Sequence, residues 1–211
     1  MHIGQLWRYP VKSMAGERLE LASLGPLGIE GDRVVYVRRF LGRIATARKF
    51  PRLLSHHGTL GPDGEPLVDG RPWTDPAVAR EIEEIVGRDA RLVRDDDPGR
   101  FDVLPLLVAT DGAIRAFGRD GRRLRPNIVI EGVDGLAERD WEGMTLRIGD
   151  VEIALEDLRD RCVMTTYDPD TQVQDASVLR DIVERFDGKL ALNARVVRGG
   201  TLAVGDRVEL V

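Results

Sequence analysis

The chain has 211 residues, a formal net charge of −5 and one cysteine, Cys162, which therefore has no disulfide partner within the chain. A chain of this length buries roughly 70% of its unfolded surface, so it needs no disulfide or structural metal to fold. The first residues lack a signal-peptide pattern, no apolar run approaches the roughly 18 residues of a membrane span, and the acidic balance disfavours nucleic acid. We expect a cytoplasmic protein with one large domain or two small ones that pack together.

The first half of the chain is typical of short strands separated by turns. Alternation and β-branched or aromatic runs predict strands in QLWRYPVKS, RLELASL, RVVYVRRF and RLLSHHGTL. The segment GTLGPDGEPLVDGRPW predicts a hairpin followed by a loop. A helix follows in DPAVAREIEEIVGRD, where Asp75 suits the N-cap, Pro76 the first turn and Gly87 the end. Its apolar stripe comprises Val78, Ile82, Ile85 and Val86.

The acidic stretch RDDDPGR, residues 94–100, predicts a boundary between an amino-terminal segment, residues 1–95, and a carboxy-terminal segment, residues 96–211. Beyond it we expect a short helix in TDGAIRAFGRDG and a longer one in DASVLRDIVERFDG, which Gly188 ends. The stripe of the longer helix comprises Val178, Leu179, Ile182, Val183 and Phe186.

Strands are predicted in NIVIEG, in the pair LRIGDVEIALEDL and in the closing pair LALNARVV and GGTLAVGDRVELV. The order of elements predicts a mainly β fold of the α+β class. We expect it to be largely antiparallel and to close into a barrel whose ends are covered by short helices.

Several familiar site patterns are absent from the sequence. His56 and His57 are adjacent in a strand-like stretch and should point to opposite faces, His2 is terminal, and no HExxH spacing occurs. There is no GxGxxG, P-loop or GxSxG pattern. These observations disfavour a histidine metal site and conventional dinucleotide or acyl-transfer chemistry.

An arginine cluster, GRDGRRLRPN, precedes one of the predicted strands. Without interleaved aromatic residues it does not resemble a nucleic-acid surface, and we expect Arg119, Arg122 and Arg123 to lie in a solvated loop. Arg125 differs because it enters the strand PNIVIEG directly. Its guanidinium can therefore be presented to a pocket.

Cys162 lies in RDRCVMTTYDPDT and allows two interpretations. A lone cysteine is commonly an inert core residue. Here Arg159 and Arg161 flank it with charges that stabilise a thiolate, and Thr165 and Thr166 add hydroxyls. The turn at residues 168–170 puts it near a strand end, where sites are often found. The residues alone therefore leave open an inert thiol, a reactive thiol or a ligand for a soft metal.

The chain resembles the MOSC domain family in several motifs that occur in order. RPNIVIEG, DWEGMTLRIGDVEIAL, RCVMTTYDPDT and GGTLAVGDRVEL resemble the MOSC domain of molybdenum cofactor sulfurases and amidoxime-reducing molybdenum enzymes. LWRYPVKSMAGERLE, GDRVVYV and IATARKFPRLL are similar to the β-barrel segment that precedes MOSC in those proteins. The resemblance implies a mostly β body whose cleft holds molybdenum on a pterin dithiolene with a phosphate tail, the molybdenum cofactor (Mo-molybdopterin).

The resemblance also implies roles for individual residues. Cys162 would be the molybdenum ligand and the catalytic residue. Asp160 stands where amidoxime reducers often have a small hydroxyl residue, and its charge would need compensation by Arg159 or Arg161. Asn193 stands where some relatives have an aromatic residue; both differences bear on substrate range. The cofactor-binding set would be Lys12, Ser13, Arg33, Arg48, Asp102, Arg125, Asn127, Asp160, Arg161 and Asn193.

Three functions are compatible with this family. The first is a molybdenum-cofactor oxidoreductase that reduces N-oxygenated substrates, with electrons from a separate reductase or redox carrier because the sequence has no iron–sulfur or flavin motif. The second is a sulfur carrier that uses a Cys162 persulfide loaded by a partner. The third is a non-catalytic protein that binds or delivers the cofactor. No nucleic-acid or membrane partner is expected.

Overall fold

The computed structural model describes residues 1–95 and 97–211. Asp96, inside the predicted boundary, lies outside the described residues. The strands are, in chain order, β1 (His2–Arg8), β2 (Glu17–Leu19), β3 (Leu21–Gly25), β4 (Gly28–Ile29), β5 (Val35–Arg38), β6 (Ile44–Ala45), β7 (Gly58–Leu60), β8 (Pro66–Val68), β9 (Arg71–Pro72), β10 (Arg91–Arg94), β11 (Leu106–Thr110), β12 (Ile128–Glu131), β13 (Thr145–Ile148), β14 (Val151–Asp160), β15 (Lys189–Arg198), β16 (Gly200–Ala203) and β17 (Glu209–Leu210). The helices are α1 (Pro76–Val86), α2 (Asp111–Phe117) and α3 (Ser177–Phe186).

Eight of these strands form one large sheet in the order β17-β13-β14-β15-β11-β12-β1-β2. Its ladders are antiparallel except for the parallel pair β11 and β12. This confirms the mainly β, largely antiparallel fold class. The expected closure into a barrel is wrong for the strand ladders, whose order stays open. Main-chain bonds join β1 to the segment that precedes β17, with Ile3 N donating to Asp206 O (2.9 Å) and Gly205 N to Ile3 O (2.7 Å).

Alternating burial along the strands places a hydrophobic core against the large sheet. Ile3 and Leu6 of β1, Ile128 and Ile130 of β12 and Ile153 of β14 are fully buried there. A second core lies under β5 and α1, and a third lies between α2 and α3. Burying a side chain of this size stabilises the folded state by about 1.5–3 kcal/mol, so this core holds the strands of the large sheet together.

Helix α1 begins and ends as its local sequence predicts. The Asp75 side chain accepts a hydrogen bond from Ala77 N (2.6 Å), Pro76 occupies the first turn, and Gly87 ends the helix. Three members of the predicted stripe, Val78, Ile82 and Val86, are buried, and Ile85 is half-buried against the second core. Capping and periodicity are local properties, which is why the sequence suffices to predict this helix.

Two local predictions need correction. In α3, Val178, Ile182 and Phe186 are buried and Leu179 is half-buried, but Val183 is 56% exposed because it follows Ile182 by about 100° around the helix. The stretch RLLSHHGTL is not one strand: residues Pro51–Ser55 form a 3₁₀ turn and only Gly58–Leu60 are extended. Pro51 favours the start of that turn, where its missing N–H costs nothing.

Strands from the two ends of the chain pair with each other. In the large sheet β1 pairs with both β2 and β12, and in a smaller sheet β3 pairs with β16. Residues 1–95 therefore share sheets with residues 97–211, while the boundary at residues 95 and 96 stays a prediction. Within the described part of the chain, no helix combines the length and apolar character needed to cross a bilayer.

Candidate functional site

All eleven predicted site residues line one cavity between the large sheet and the β5–β6 segment, here called the Cys162 cavity. These residues are Lys12, Ser13, Arg33, Arg48, Asp102, Arg125, Asn127, Asp160, Arg161, Cys162 and Asn193. They come from seven separate parts of the chain, and the fold brings those parts together. Their assembly in one place is a property of the fold, whereas the role of each residue stays a prediction.

Cys162 follows β14 by two residues and begins a 3₁₀ turn, Val163–Thr166. Its carbonyl oxygen accepts hydrogen bonds from Thr165 N (3.0 Å) and Thr165 Oγ1 (2.8 Å), and Thr166 Oγ1 donates to Val163 O (2.7 Å). The two threonine hydroxyls thus stabilise the turn, and Thr165 also lines the cavity. The thiol side chain is half-buried.

Asp102 is the anion around which three cations of the cavity gather. Its Oδ1 lies 2.7 Å from Lys12 Nζ, and its Oδ2 lies 2.9 Å from Arg48 and 3.8 Å from Arg159. Burial acts to raise the pKa of Asp102, but these charges, Lys12 first, outweigh it and lower the pKa below its ordinary value. Burial lowers the pKa of Lys12, which Asp102 only partly opposes.

Arg33 and Arg125 both lie close to the ring of the buried Tyr9 side chain. Their guanidinium carbons are 5.2 and 4.3 Å from the Tyr9 ring centre. Arg33 is paired with the fully buried Asp32, whose other oxygen accepts from Tyr9 N (2.7 Å). Arg125 has no carboxylate within ion-pair distance among residues 1–95 and 97–211, and burial lowers its pKa to about 10. It is therefore a desolvated cation without an anion.

Three residues of the Cys162 cavity hold left-handed backbone conformations. Ser13 has φ 71°, Arg33 has φ 54° and Arg125 has φ 56°. Such values are uncommon for residues other than glycine and cost about 1 kcal/mol or more each. The conformation of Ser13 is supported by a hydrogen bond from Ala47 N to its Oγ (3.1 Å). Strain of this kind commonly occurs where a fold aims side chains at a ligand.

Arg161 and Arg159 alternate with Asp160 before the cysteine. Arg161 donates to Leu124 O (2.6 Å), its Nε has no partner among the described residues, and burial lowers its pKa to about 10. Arg159 donates to Asn193 Oδ1 (3.2 Å), and Asn193 Nδ2 donates to Asp157 Oδ1 (3.1 Å). Asn193 thus positions Arg159.

Asn127 is fully buried and its amide is engaged by the protein. Its Oδ1 accepts from Leu107 N (3.1 Å) and from Arg33 (3.4 Å), and its Nδ2 donates to Trp7 O (3.3 Å). These bonds tie β1, β11 and β12 together beneath the cavity. In this arrangement Asn127 supports Arg33.

The cavity contains more positive than negative charge. Its carboxylates are Asp102 and Asp160, and its cations are Lys12, Arg33, Arg48, Arg123, Arg125, Arg159 and Arg161. An excess of buried cations is costly unless an anion shares the site. The arrangement therefore fits an anionic ligand that offers a soft-metal centre to the thiol and oxygen atoms to the arginines.

Comparison with known families agrees with the motifs and the geometry. Residues 1–99 match the family model "MOSC N-terminal beta barrel domain", and residues 114–209 match "MOSC domain".

The chain belongs to the MOSC domain family.

Curated MOSC relatives align with nearly all of the chain. It is 27% identical to "Mitochondrial amidoxime-reducing component 1" of Mus musculus, over 99% of this chain and 82% of the relative. It is 27% identical to "Mitochondrial amidoxime reducing component 2" of Macaca fascicularis, over 87% of this chain and 72% of the relative. A "Molybdenum cofactor sulfurase" of Bombyx mori is 34% identical over 40% of this chain and 10% of its own length.

Solved structures support the fold. The YUAD protein from Bacillus subtilis superposes with a TM-score of 0.55 at 13% identity, covering 99% of this chain and 94% of that chain. A hypothetical protein of known structure gives a TM-score of 0.51 at 13% identity, covering 100% of this chain and 68% of that chain. At this identity the likeness concerns architecture alone.

One site residue was misread from the sequence of this MOSC chain. Arg123 was expected in a solvated loop, but its side chain is only 9% exposed and lines the Cys162 cavity. It donates to Thr165 O (3.2 Å) and to Asp168 (2.9 Å). Those partners are more than 40 residues away in sequence, so no local signal reveals the contact. Arg119 and Arg122 lie on the surface, as expected.

A second polar group, here called the histidine cluster, comprises His56, Asp69, Arg71 and Glu81. Ligand atoms of His56, Asp69 and Glu81 lie within 4.8 Å of one another. Arg71 donates two hydrogen bonds to Glu81 (2.8 and 2.6 Å), and Asp69 accepts from His56 Nδ1 (2.7 Å) and His57 N (2.7 Å). Each carboxylate already accepts hydrogen bonds from neighbouring groups, so the cluster is a satisfied hydrogen-bond network.

Proposed function

We propose that this MOSC chain holds a molybdenum cofactor in the Cys162 cavity and reduces N-oxygenated compounds such as amidoximes and hydroxylamines. The observation that carries the proposal is a half-buried thiol beside an excess of buried cations, two of which, Arg125 and Arg161, have no carboxylate partner among the described residues. The names of the curated relatives support the same reaction class.

The residues fit such a group by charge and by ligand type. Cys162 would supply a thiolate ligand to the metal, and a thiolate suits a soft or thiophilic metal. Lys12, Arg33 and Arg125 would hold the phosphate, for which arginine and lysine are the ordinary partners. With its pKa lowered by burial, Lys12 is easier to deprotonate than a surface lysine, and an anion beside it would favour its charged form.

The free volume of the cavity, about 90 Å³, is smaller than a pterin with its phosphate requires. Arg48 is the side chain whose outward rotation would enlarge it, because Arg48 is 46% exposed while Lys12 is 8% exposed. Asp102 accepts a hydrogen bond from Arg48 (2.9 Å), and the Cys162 thiol also interacts with this guanidinium. Cofactor binding would therefore exchange an internal anion, Asp102, for the anion of the ligand.

When bound, the cofactor supplies the redox chemistry by which an N–O bond is cleaved to give an amine and water, with two electrons and two protons consumed. The chain's own residues hold the ligand, balance its charge and leave the half-buried thiol side open to a small substrate. The electrons would come from a separate reductase or redox carrier.

The test measures molybdenum and activity in the same preparations. The full chain is purified from a host that makes the cofactor, and metal content is measured together with reduction of a model amidoxime by an artificial reductant. We expect Cys162→Ser to lose activity and most of its molybdenum, while His56→Ala, a control in the histidine cluster, retains both. A Cys162→Ser protein with full activity would remove the thiol from the mechanism.

Sulfur transfer is a second candidate, favoured by the accessible thiol and by the likeness to the Bombyx mori sulfurase. Intact-mass measurement distinguishes the two. A persulfide on Cys162 without molybdenum supports sulfur transfer, and bound pterin without persulfide supports the reductase. Cofactor that is retained with no turnover of any N-oxygenated substrate would support binding or delivery alone.

A further inference from the structure

A second cavity adjoins the Cys162 cavity at Arg123 and Arg125. Both cavities are lined by Arg123, Arg125 and Met164, but Cys162 belongs only to the first. The second cavity has a volume of about 310 Å³, compared with about 90 Å³ for the first. Pockets that bind small molecules have volumes of roughly 300 Å³ or more. The second cavity is therefore large enough to accept a ligand, or the part of a ligand that extends past Arg125.

Aromatic side chains line much of the second cavity. Trp7 and Tyr9 come from β1 and the residue after it, and Tyr167 follows the turn that holds Cys162. Trp7 Nε1 donates to Gln5 Oε1 (2.9 Å), which fixes the orientation of the indole. Aromatic side chains of this kind provide stacking surfaces for planar rings, and any nucleobase can stack on them because each has a planar aromatic face.

Positive charge is concentrated where the two cavities meet. Arg125 has no carboxylate within ion-pair distance in the described part of the chain, and it stacks on Tyr9 at 4.3 Å. Arg123 beside it is only partly neutralised, by Asp168 at 2.9 Å. Arg18, on the wall of the second cavity, is exposed and has no side-chain partner among residues 1–95 and 97–211. An anion at the junction would be held by Arg125 and Arg123 together.

The wall also carries an unused hydrogen-bond acceptor. Gln172 has a left-handed backbone (φ 60°), and its Nε2 donates to Pro169 O (3.1 Å). Its buried Oε1 has no donor among the described residues. A buried carbonyl oxygen normally has a partner, and the N–H edge of a heteroaromatic base is a suitable donor.

We propose that the second cavity is a nucleotide subsite, in which a planar heteroaromatic ring lies against Trp7 and Tyr167 and the phosphate of the same nucleotide lies on Arg125 and Arg123. The phosphate has two possible sources. It is either part of a nucleotide attached to the pterin cofactor, an assignment that rests on the proposed function, or part of a free nucleotide that binds beside the Cys162 cavity.

Two measurements on the full chain separate these sources. In the first, protein purified with its cofactor is denatured, the released pterin is treated with a pyrophosphatase, and nucleoside monophosphate is measured by mass spectrometry against molybdenum. In the second, protein free of cofactor is titrated calorimetrically with GMP, CMP and AMP, and with inorganic phosphate for comparison. We expect either one nucleotide per molybdenum or nucleotide binding roughly tenfold tighter than phosphate.

Variants locate the site. Trp7→Leu removes a stacking surface and Arg18→Gln removes a charge, and each should weaken nucleotide retention or binding by roughly tenfold. Arg147→Gln is the matched control, because Arg147 is likewise an exposed arginine on a strand but lies outside both cavities. We expect it to bind as the parent does. Arg18 is exposed, so its variant is informative even if Trp7→Leu fails to fold.

The outcomes distinguish this proposal from the cofactor proposal. Molybdenum and pterin without nucleotide, together with no nucleotide binding by the cofactor-free protein, would overturn the subsite and leave the cofactor site intact. Equal loss in Arg18→Gln and Arg147→Gln would also overturn it. Nucleotide binding by a protein that never carries molybdenum would support the subsite while contradicting the proposed function.

Discussion

The Cys162 cavity and the histidine cluster both gather charged side chains from distant parts of the chain, but their charges are arranged differently. In the histidine cluster, Glu81 accepts two hydrogen bonds from Arg71, and Asp69 accepts hydrogen bonds from His56 and from His57 N. Among the described residues that line the Cys162 cavity, cations outnumber carboxylates, and the desolvated guanidinium of Arg125 has no described carboxylate within ion-pair distance. Proximity alone therefore does not identify a ligand site; an unbalanced buried charge does.

The largest effect is expected at a buried acid that lies next to the Cys162 cavity and pairs with one of its arginines. Asp32 is fully buried, pairs with Arg33 and accepts from Tyr9 N. Asp32→Ala leaves the guanidinium and the N–H without a partner, so we expect it to lower the free energy of unfolding by about 3–5 kcal/mol in chemical denaturation. The counterpart in the histidine cluster, Asp69→Ala, should cost less because Asp69 is partly exposed. An Asp32→Ala loss below about 1 kcal/mol would contradict this account.

The second prediction separates stability from binding. Arg125→Met removes a buried cation that has no carboxylate partner, so thermal stability of the cofactor-free protein should be unchanged or higher. Molybdenum content should fall about tenfold, because a charge-assisted hydrogen bond to the ligand is lost. Arg71→Met should behave oppositely, with slightly lower thermal stability and normal molybdenum content. Equal molybdenum loss in both variants would show that the two clusters do not differ in function.

The third prediction concerns pH. The folded-state pKa of Asp102 is lowered by Lys12, Arg48 and Arg159 although burial opposes the shift. Ionised Asp102 therefore stabilises the fold above its unfolded pKa of about 4, and this stabilisation is lost as the pH falls through the lower folded pKa. We expect Asp102→Asn to cost about 1–2 kcal/mol at pH 7. The cost should shrink toward pH 2 in acid denaturation curves, and a cost that stayed constant would refute the assignment.

The smallest effect is expected from metal added to the histidine cluster. Glu81 already accepts hydrogen bonds from Arg71, and Asp69 already accepts hydrogen bonds from His56 and from His57 N. Zinc therefore has to displace these partners before it binds. We expect zinc at micromolar concentration to leave the thermal midpoint of the Cys162→Ser protein unchanged. A clear rise in the thermal midpoint that disappears in His56→Ala would show that this cluster binds zinc. The contrast with the Cys162 cavity would then be wrong.

Much of the fold follows from local patterns. Asp75, Pro76 and Gly87 delimit α1, and its buried stripe follows the helical period. Val183 was predicted to be buried in α3 because it is hydrophobic. Its position around the helix turns it away from the packed face, and its side chain is exposed. The open order of the large sheet was also not predictable, since it depends on how residues 1–3 meet residues 205–208.

Most residues of the candidate site were predicted from the family motifs, and only Cys162 and Arg125 were predicted from the chemistry of their neighbours. The flanking arginines and the following turn indicated that Cys162 is a site residue. Arg125 was singled out because it directly precedes a predicted strand. Arg123 was misread because its partners, Thr165 and Asp168, are distant in sequence. Asn193 lines the Cys162 cavity as predicted, and its bonds to Arg159 and Asp157 were not readable from the sequence; its role at a ligand stays a prediction.

The sequence by itself determined most types of element, the ends of α1 and the family, because capping, periodicity and the order of motifs are readable along the chain. Only the tertiary structure decided which charges meet. Lys12 and Asp102 are 90 positions apart, yet their side-chain atoms lie 2.7 Å from each other. The charge excess of the Cys162 cavity and the presence of a second cavity beside it follow from such contacts. Electrostatic energy depends on distance and burial in space, and local sequence contains neither.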